Sequence, residues 1–233
     1  MVYVSSDWHG WPLAQIKQLL ARADFGDEDF LFVLGDVIDR GKEGAQLLQW
    51  LTQQPNVQLI LGNHEAMLLS CKYLFAEVSE DTLSELTAEK LNLFQAWLEN
   101  GGGPTVTGLK QILKENPDEL EGILEYLHDA PLYEMLEVKG QRFILTHAGI
   151  ANFDEEKPLD VYEANDFLWA RPSLNQKYYK NATVIFGHTP TIAYGEAYKG
   201  KPILSEGWIC VDTGAASGLP PVLLRLDDMK VFY

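Results

Sequence analysis

In this 233-residue chain the stretch Gly35 to Gly41, GDVIDRG, sets two carboxylates three residues apart with an arginine beside the second. It stands directly behind the apolar run Phe30 to Leu34. Glycines at both ends let the backbone bend sharply, so Asp36, Asp39 and Arg40 can face one site where a buried strand reaches solvent. Such a stretch contributes little to a core and is suited to holding metal and phosphate.

The histidines extend the pattern. Of five, His9, His64, His147 and His188 each follow a short apolar run, and only His128 lies inside a helical pattern, where it reads as a surface residue. A single aspartate before a turn is usually a cap, and a single loop histidine is usually solvated. The joint placement is what carries information. Asp7, His9, Asp36, Asn63, His147 and His188 together offer carboxylate, imidazole and amide ligands without a thiolate, a set that suits manganese or iron, with zinc as a further option. Six ligands exceed what one substrate-binding ion needs. Two ions about 3.5–4 Å apart and bridged by one carboxylate would use them all.

The elements that must position these residues alternate strand, loop and helix. Strands are expected at Val2 to Ser5, Phe30 to Leu34 and Val57 to Leu61. One helix follows with Pro12 in its first turn and apolar positions Leu13, Ile16, Leu19 and Leu20, and a second at Glu43 to Leu51. In α/β sheets, ligands bind outside the carboxyl ends of the strands, which is where the candidate residues fall. Residues 79–130 read as a helical insertion, with helices at Ala88 to Glu99, Val106 to Lys114 and Asp118 to Asp129. Gly101, Gly102 and Gly103 read as a flexible joint within it. The insertion is too short for a sizeable core of its own, so a single domain over 1–233 is expected. Leu132 to Val138 and Gln141 to Thr146 read as a hairpin, and Thr183 to Phe186, Trp208 to Val211 and Val222 to Leu226 as further strands.

Composition bounds the partners. With 34 acidic and 18 basic residues the formal charge is -16, which repels polyanions and argues against broad nucleic-acid binding. No run of about 18 apolar residues indicates a membrane span. The strand at Val2 leaves no room for a signal peptide, and Cys71 and Cys210 sit in apolar segments as buried thiols do. A cytoplasmic protein is expected. The acidic runs at 115–137 and 154–166 are read first as solvated faces, with a preference for basic peptides as the sharper alternative.

DWHG at Asp7 to Gly10, GDVIDRG, GNHE at Gly62 to Glu65, HAG at His147 to Gly149 and GH at Gly187 to His188 occur in the order and approximate spacing of the phosphoprotein phosphatase family. The chain resembles the bacterial and phage-type branch of these calcineurin-like metallophosphoesterases over residues 7–188. The resemblance implies a mixed α/β fold, a four-layer sandwich of two mixed β-sheets flanked by helices. It implies two metal ions, one held by Asp7, His9 and Asp36 and one by Asn63, His147 and His188, with Asp36 bridging and a metal-held hydroxide for in-line attack. It further implies that Arg40 and Arg171, the latter in Trp169-Ala170-Arg171, bind the phosphate, and that His64, oriented by Asp39, is the general acid. For Arg171 a salt bridge to the preceding acidic stretch is the rival reading. Three departures from the pattern stand out. Trp8 replaces a small aliphatic residue and is expected to reshape the pocket floor, the insertion is long, and VDTGAASG at 211–218 lacks the tyrosine-bearing loop of eukaryotic members.

Three functions follow. The first is hydrolysis of phosphoserine, phosphothreonine or, with dual specificity, phosphotyrosine in proteins or peptides. The second is symmetrical hydrolysis of dinucleoside polyphosphates such as diadenosine tetraphosphate. Relatives with that activity usually lack an aspartate at the Asp39 position. The third, a catalytically silent metal-binding module, predicts a lost ligand, and all six are present.

Overall fold

The computed structural model describes residues 1–76 and 87–233. Residues 79–86 of the expected insertion therefore lie outside the described residues.

Two five-stranded mixed sheets face each other. In the first, β1 (Val2–Ser5), β2 (Phe30–Val33) and β3 (Val57–Leu59) are parallel, with β9 (Leu223–Arg225) and β10 (Lys230–Phe232) added antiparallel at β1. In the second, β5 (Gln141–Thr146), β6 (Thr183–Phe186) and β8 (Trp208–Cys210) are parallel, flanked by antiparallel β4 (Tyr133–Val138) and β7 (Ile203–Ser205). Lys139 and Gly140, both with positive φ, close the expected β4–β5 hairpin.

The strands are apolar on both sides because both sides are covered. Val4, Phe32 and Leu34 point inward and meet Phe143, Leu145, Ile185 and Ile209 of the opposite sheet. Tyr3, Leu31 and Val33 point outward against α1 (Leu13–Arg22) and α2 (Gly44–Leu51). Ile144, Val184, Phe186 and Trp208 face the outer layer of the second sheet, built from residues around Leu159, Tyr162 and Tyr178 and the short α7 (Ala164–Leu168). The result is the expected four-layer sandwich, and each buried Leu, Ile or Phe stabilises it by about 1.5–3 kcal/mol.

The insertion adds α4 (Ala88–Glu99), α5 (Gly103–Glu115) and α6 (Pro117–His128). Trp97, Leu109, Ile112 and Ile123 join the same core cluster as Leu31 and Leu47, so it extends the helical layer. The glycines before α5 are not a loose joint. Gly101 has φ +100°, its carbonyl accepts the Arg40 N–H at 2.9 Å, and a Cβ there would meet the Arg40 side chain at 2.8 Å. Its lack of a side chain permits close approach.

Trp8 does not form a pocket floor. It is buried in the core cluster beside Trp50, and its indole N–H donates to Ser5 Oγ at 2.8 Å. Cys71 and Cys210 are buried free thiols, and His128 is exposed, as expected. Helix α3 (Asn63–Ser70), and the three-residue strands β7 and β10, have no counterpart in the sequence reading. Among the described residues no helix is long and apolar enough to cross a membrane.

Candidate active site

The site grows from the carboxyl ends of five parallel strands. Asp7 and His9 follow β1, Asp36 to Arg40 follow β2, and Asn63 and His64 form the first turn of α3 after β3. His147 and His188 follow β5 and β6 of the other sheet. The first two loops are laced together: the N–H groups of Asp7, His9 and Gly10 donate to the carbonyls of Gly35, Asp36 and Val37 at 3.0, 2.8 and 2.8 Å. The two sheets are tied by His188 N–H donating to Asp7 Oδ2 at 2.9 Å, and His147 Nδ1 lies 2.7 Å from the Leu34 carbonyl. That first contact requires Gly187, since a Cβ there would collide with the Asp7 carboxylate.

Strain concentrates here. Among the described residues, ten non-glycine residues have positive φ, and six of them are Asp7, His9, Asp36, Asp39, Arg40 and His188. Each costs on the order of 1–3 kcal/mol and persists only where its surroundings overdetermine it. For Asp36 that surrounding is Glu65, fully buried at the third position of α3. Its carboxylate accepts the N–H groups of Asp36 (2.8 Å), Val37 (2.9 Å), Ile38 (3.4 Å) and Gly62 (3.2 Å). Burial pushes the Glu65 carboxyl up to about 7, Asp36 adds to the rise, and the backbone donors oppose it. Glu65 closes the GNHE motif, which by itself assigns it no role. Its spacing from Gly62, three residues into a helix, is the signal of a carboxylate returning to a helix N-terminus.

Metal-ligating groups converge in two clusters, His9–Asp36–His64 and Asp36–His147–His188, with Asp36 common to both. His9 Nε2 lies 3.6 Å from Asp36 Oδ2 and 3.9 Å from Asp7 Oδ1. Asn63 Oδ1 lies 2.9 Å from both His147 Nε2 and His188 Nδ1, which are 3.2 Å apart. With its Nδ1–H directed at the Leu34 carbonyl, His147 presents a lone pair at Nε2, so lone pairs crowd this point in a way that a cation between them relieves. Asp7 Oδ1 and His188 Nε2 are buried without a partner among the described residues. Burial, then Asp212 and Asp36, push the Asp7 carboxyl well above the usual range. The orphaned Asp7 oxygen and the crowded acceptors fit positive charge.

The histidines divide by protonation. Burial lowers His9 to about 3, with Arg40 and His64 adding to the drop. It lowers His188 to about 3, helped by His147 and Arg171, and it also lowers His147. All three stay neutral, as ligands must. His64 goes the other way: burial opposes its charge, but Asp36 and Asp39 outweigh that and raise it. His64 Nδ1 is 2.6 Å from Asp39 Oδ2.

The Arg40 guanidinium reaches both His9 Nε2 (3.1 Å) and His64 Nε2 (3.2 Å). Arg171 is exposed, close enough to act on His188, and among the described residues it forms no ion pair with the acidic stretch before it. All ten expected site residues therefore fall around one centre, with Arg171 at its rim. Besides Glu65, three residues were missed. Trp97 and Thr105 bond to Asp39 from the insertion. Asp212 is buried near Asp7, its carboxyl pushed up to about 7 first by burial and then by Asp36. No local pattern marks any of the three.

Known proteins share this architecture. A solved structure described as a candidate diadenosine tetraphosphatase superposes with a TM-score of 0.64 at 19% identity, covering 99% of this chain and 90% of its own. The chain is 25% identical to serine/threonine-protein phosphatase 2 of Salmonella typhimurium over 219 residues, 90% of this chain and 88% of the relative. It is 32% identical to the symmetrical bis(5'-nucleosyl)-tetraphosphatase of Chromobacterium violaceum over 101 residues, 42% of this chain and only 36% of that protein. The family model for calcineurin-like phosphoesterases matches residues 1–196. With most of its length and all but the last strands inside that match, the chain is a metallophosphoesterase of the calcineurin-like phosphoesterase family.

Proposed function

We propose that residues 1–233 act as one catalytic domain, a cytoplasmic two-metal phosphomonoesterase acting on phosphoserine and phosphothreonine in proteins or peptides, with phosphotyrosine as a secondary substrate. The observation that carries this reading is the buried His64–Asp39 pair at 2.6 Å. A serine or threonine alkoxide is a poor leaving group that needs a proton, and a raised imidazole held by a carboxylate beside the phosphate site supplies one. The free thiols Cys71 and Cys210 suit a reducing compartment.

Asp7, His9 and Asp36 would hold one ion and Asn63, His147 and His188 the other, Asp36 bridging; the oxygen and nitrogen donors suit manganese or iron, with zinc as a further option, and manganese is the ion proposed. Bound there, such ions supply Lewis-acid charge and lower the pKa of water toward neutrality. The chain's own groups do the rest. Arg40 and Arg171 bring planar cationic forks to the phosphate oxygens and stabilise charge that develops on them. Arg40 rests on the Nε2 atoms of His9 and His64. Phosphate would draw it away and free His64 Nε2 to carry and donate a proton.

The Salmonella relative, by name a serine/threonine-protein phosphatase, supports this reading along nearly its whole length. The name of the Chromobacterium relative favours a second one, symmetrical hydrolysis of dinucleoside tetraphosphates. There the leaving group is a nucleotide phosphate, which departs with little need of an acid. Turnover of phosphoserine and phosphothreonine peptides should be compared with that of diadenosine tetraphosphate on protein of measured manganese content. Faster peptide turnover is expected; faster release from the dinucleotide would transfer the proposal to the second reading.

A further inference from the structure

The helical insertion reaches the centre of the site. Asp39 is fully buried and accepts three hydrogen bonds, and two of the donors come from the insertion. Trp97 of α4 donates its indole N–H to Asp39 Oδ2 at 2.7 Å, on the same oxygen that faces His64. The Thr105 hydroxyl of α5 donates to Asp39 Oδ1 at 2.6 Å and accepts the Asp39 N–H at 2.9 Å. Trp97 and Thr105 are themselves 0% and 1% exposed, so neither partner can be replaced by bulk water.

We propose that Trp97 and Thr105 are positioning residues for proton donation, fixing the Asp39 carboxylate so that it presents the His64 ring to the leaving group. The proposal rests on the reading of His64 as general acid. In the step concerned, a water oxygen forms the new bond to phosphorus and the bond from phosphorus to the leaving oxygen breaks. The proton on His64 Nε2 moves to that oxygen, and the water proton goes to solvent.

The geometry favours a positioning role over simple satisfaction of a buried acid. Thr105 bonds both the side chain and the backbone of Asp39, which fixes its rotamer at a residue whose φ of +68° is otherwise unfavourable. Trp97 shares an oxygen with His64, so its N–H sets the direction from which the imidazole can approach. A supporting shell that lets such a pair drift by about 1 Å forfeits much of its effect. The described helices of the insertion are thereby part of the acid–base machinery, although none of their residues is among the candidate metal or phosphate ligands.

Thr105→Val removes the hydroxyl at nearly constant shape, and Trp97→Phe removes the N–H while keeping an aromatic ring. Thr105→Ser restores the hydroxyl. Two readouts are needed. In the first, kcat/KM on a phosphoserine peptide is expected to fall on the order of 10- to 100-fold in the Val and Phe variants, part of the range general acid catalysis provides, with recovery in Thr105→Ser. Turnover of para-nitrophenyl phosphate, whose leaving group departs unprotonated, should change little. Equal losses on both substrates, or none on either, would overturn the proposal. The second readout needs no substrate: in the full chain, with and without zinc, the low-field His64 Nδ1 proton should be present in the wild type. It should shift or vanish in Thr105→Val and Trp97→Phe, and return in Thr105→Ser. An unmoved resonance in both variants would refute positioning even if the protein proves to prefer dinucleotides, whereas poor peptide turnover by the wild type would count against the substrate reading alone.

Discussion

Replacing Glu65 by glutamine tests whether the metal-facing loop is held by one buried carboxylate. Each Glu65 oxygen now accepts one short and one longer backbone N–H: Asp36 and Gly62 on Oε2, Val37 and Ile38 on Oε1. An amide keeps one of these oxygens and turns an NH2 group toward the other pair of donors. The loss is the pair of hydrogen bonds on the replaced oxygen, dominated by the short charge-assisted one at about 1.5–3 kcal/mol, plus the cost of buried N–H groups left without an acceptor, about 1–3 kcal/mol. Burying a neutral amide in place of a carboxyl already raised to about 7 recovers part of this. A net loss of about 2–3 kcal/mol remains, which for a chain of this length lowers Tm by about 4–12 °C. Asp36, freed from its φ of +53°, should relax and weaken metal binding by about 10-fold, the lower end for groups that orient a ligand. Thermal unfolding with and without manganese, and calorimetric titration of the ion, measure both. A Tm within about 1 °C of wild type together with metal affinity within about twofold would refute the assignment of Glu65 as the loop's anchor.

Other outcomes follow from the same geometry. His64→Ala should slow phosphoserine peptides by about 100-fold or more while para-nitrophenyl phosphate changes much less; equal losses would remove His64 from the general-acid role. Chelation of bound manganese present at about 100 times its Kd should cost about 2.7 kcal/mol, lowering Tm by about 5–10 °C, and re-addition should restore it. In metal-free protein, Asp212 retains a proton in the folded state between its ordinary value of 3.8 and about 7, whereas the unfolded chain has lost it. Stability therefore falls as pH rises through that window. Asp212→Asn should escape this fall, gaining at most about 4 kcal/mol over wild type above neutral pH and nothing near pH 4, and parallel stability curves for the two proteins would contradict the sign.

The sequence by itself determined eight of the ten strands, the hairpin and the strand-end residues, missing the three-residue β7 and β10. Fully apolar runs encode burial on both sheet faces, and a histidine or aspartate at the end of such a run has few places to go. It also located GDVIDRG, because glycine spacing and adjacent carboxylates are local facts. Helix α3 escaped notice because its first turn, Asn63 to Glu65, is polar and reads as a loop; only its packing beneath Asp36 makes it helical in context. Tertiary structure alone decided which oxygen faces which proton. Trp97 and Thr105 stand 58 and 66 positions from Asp39, on helices whose pattern records only an apolar face. Asp212 reaches Asp7 across the joined sheets. Hydrophobic periodicity is written along the chain, but hydrogen bonds between distant side chains are fixed only when the layers close, and these bonds set the work of each GDVIDRG side chain.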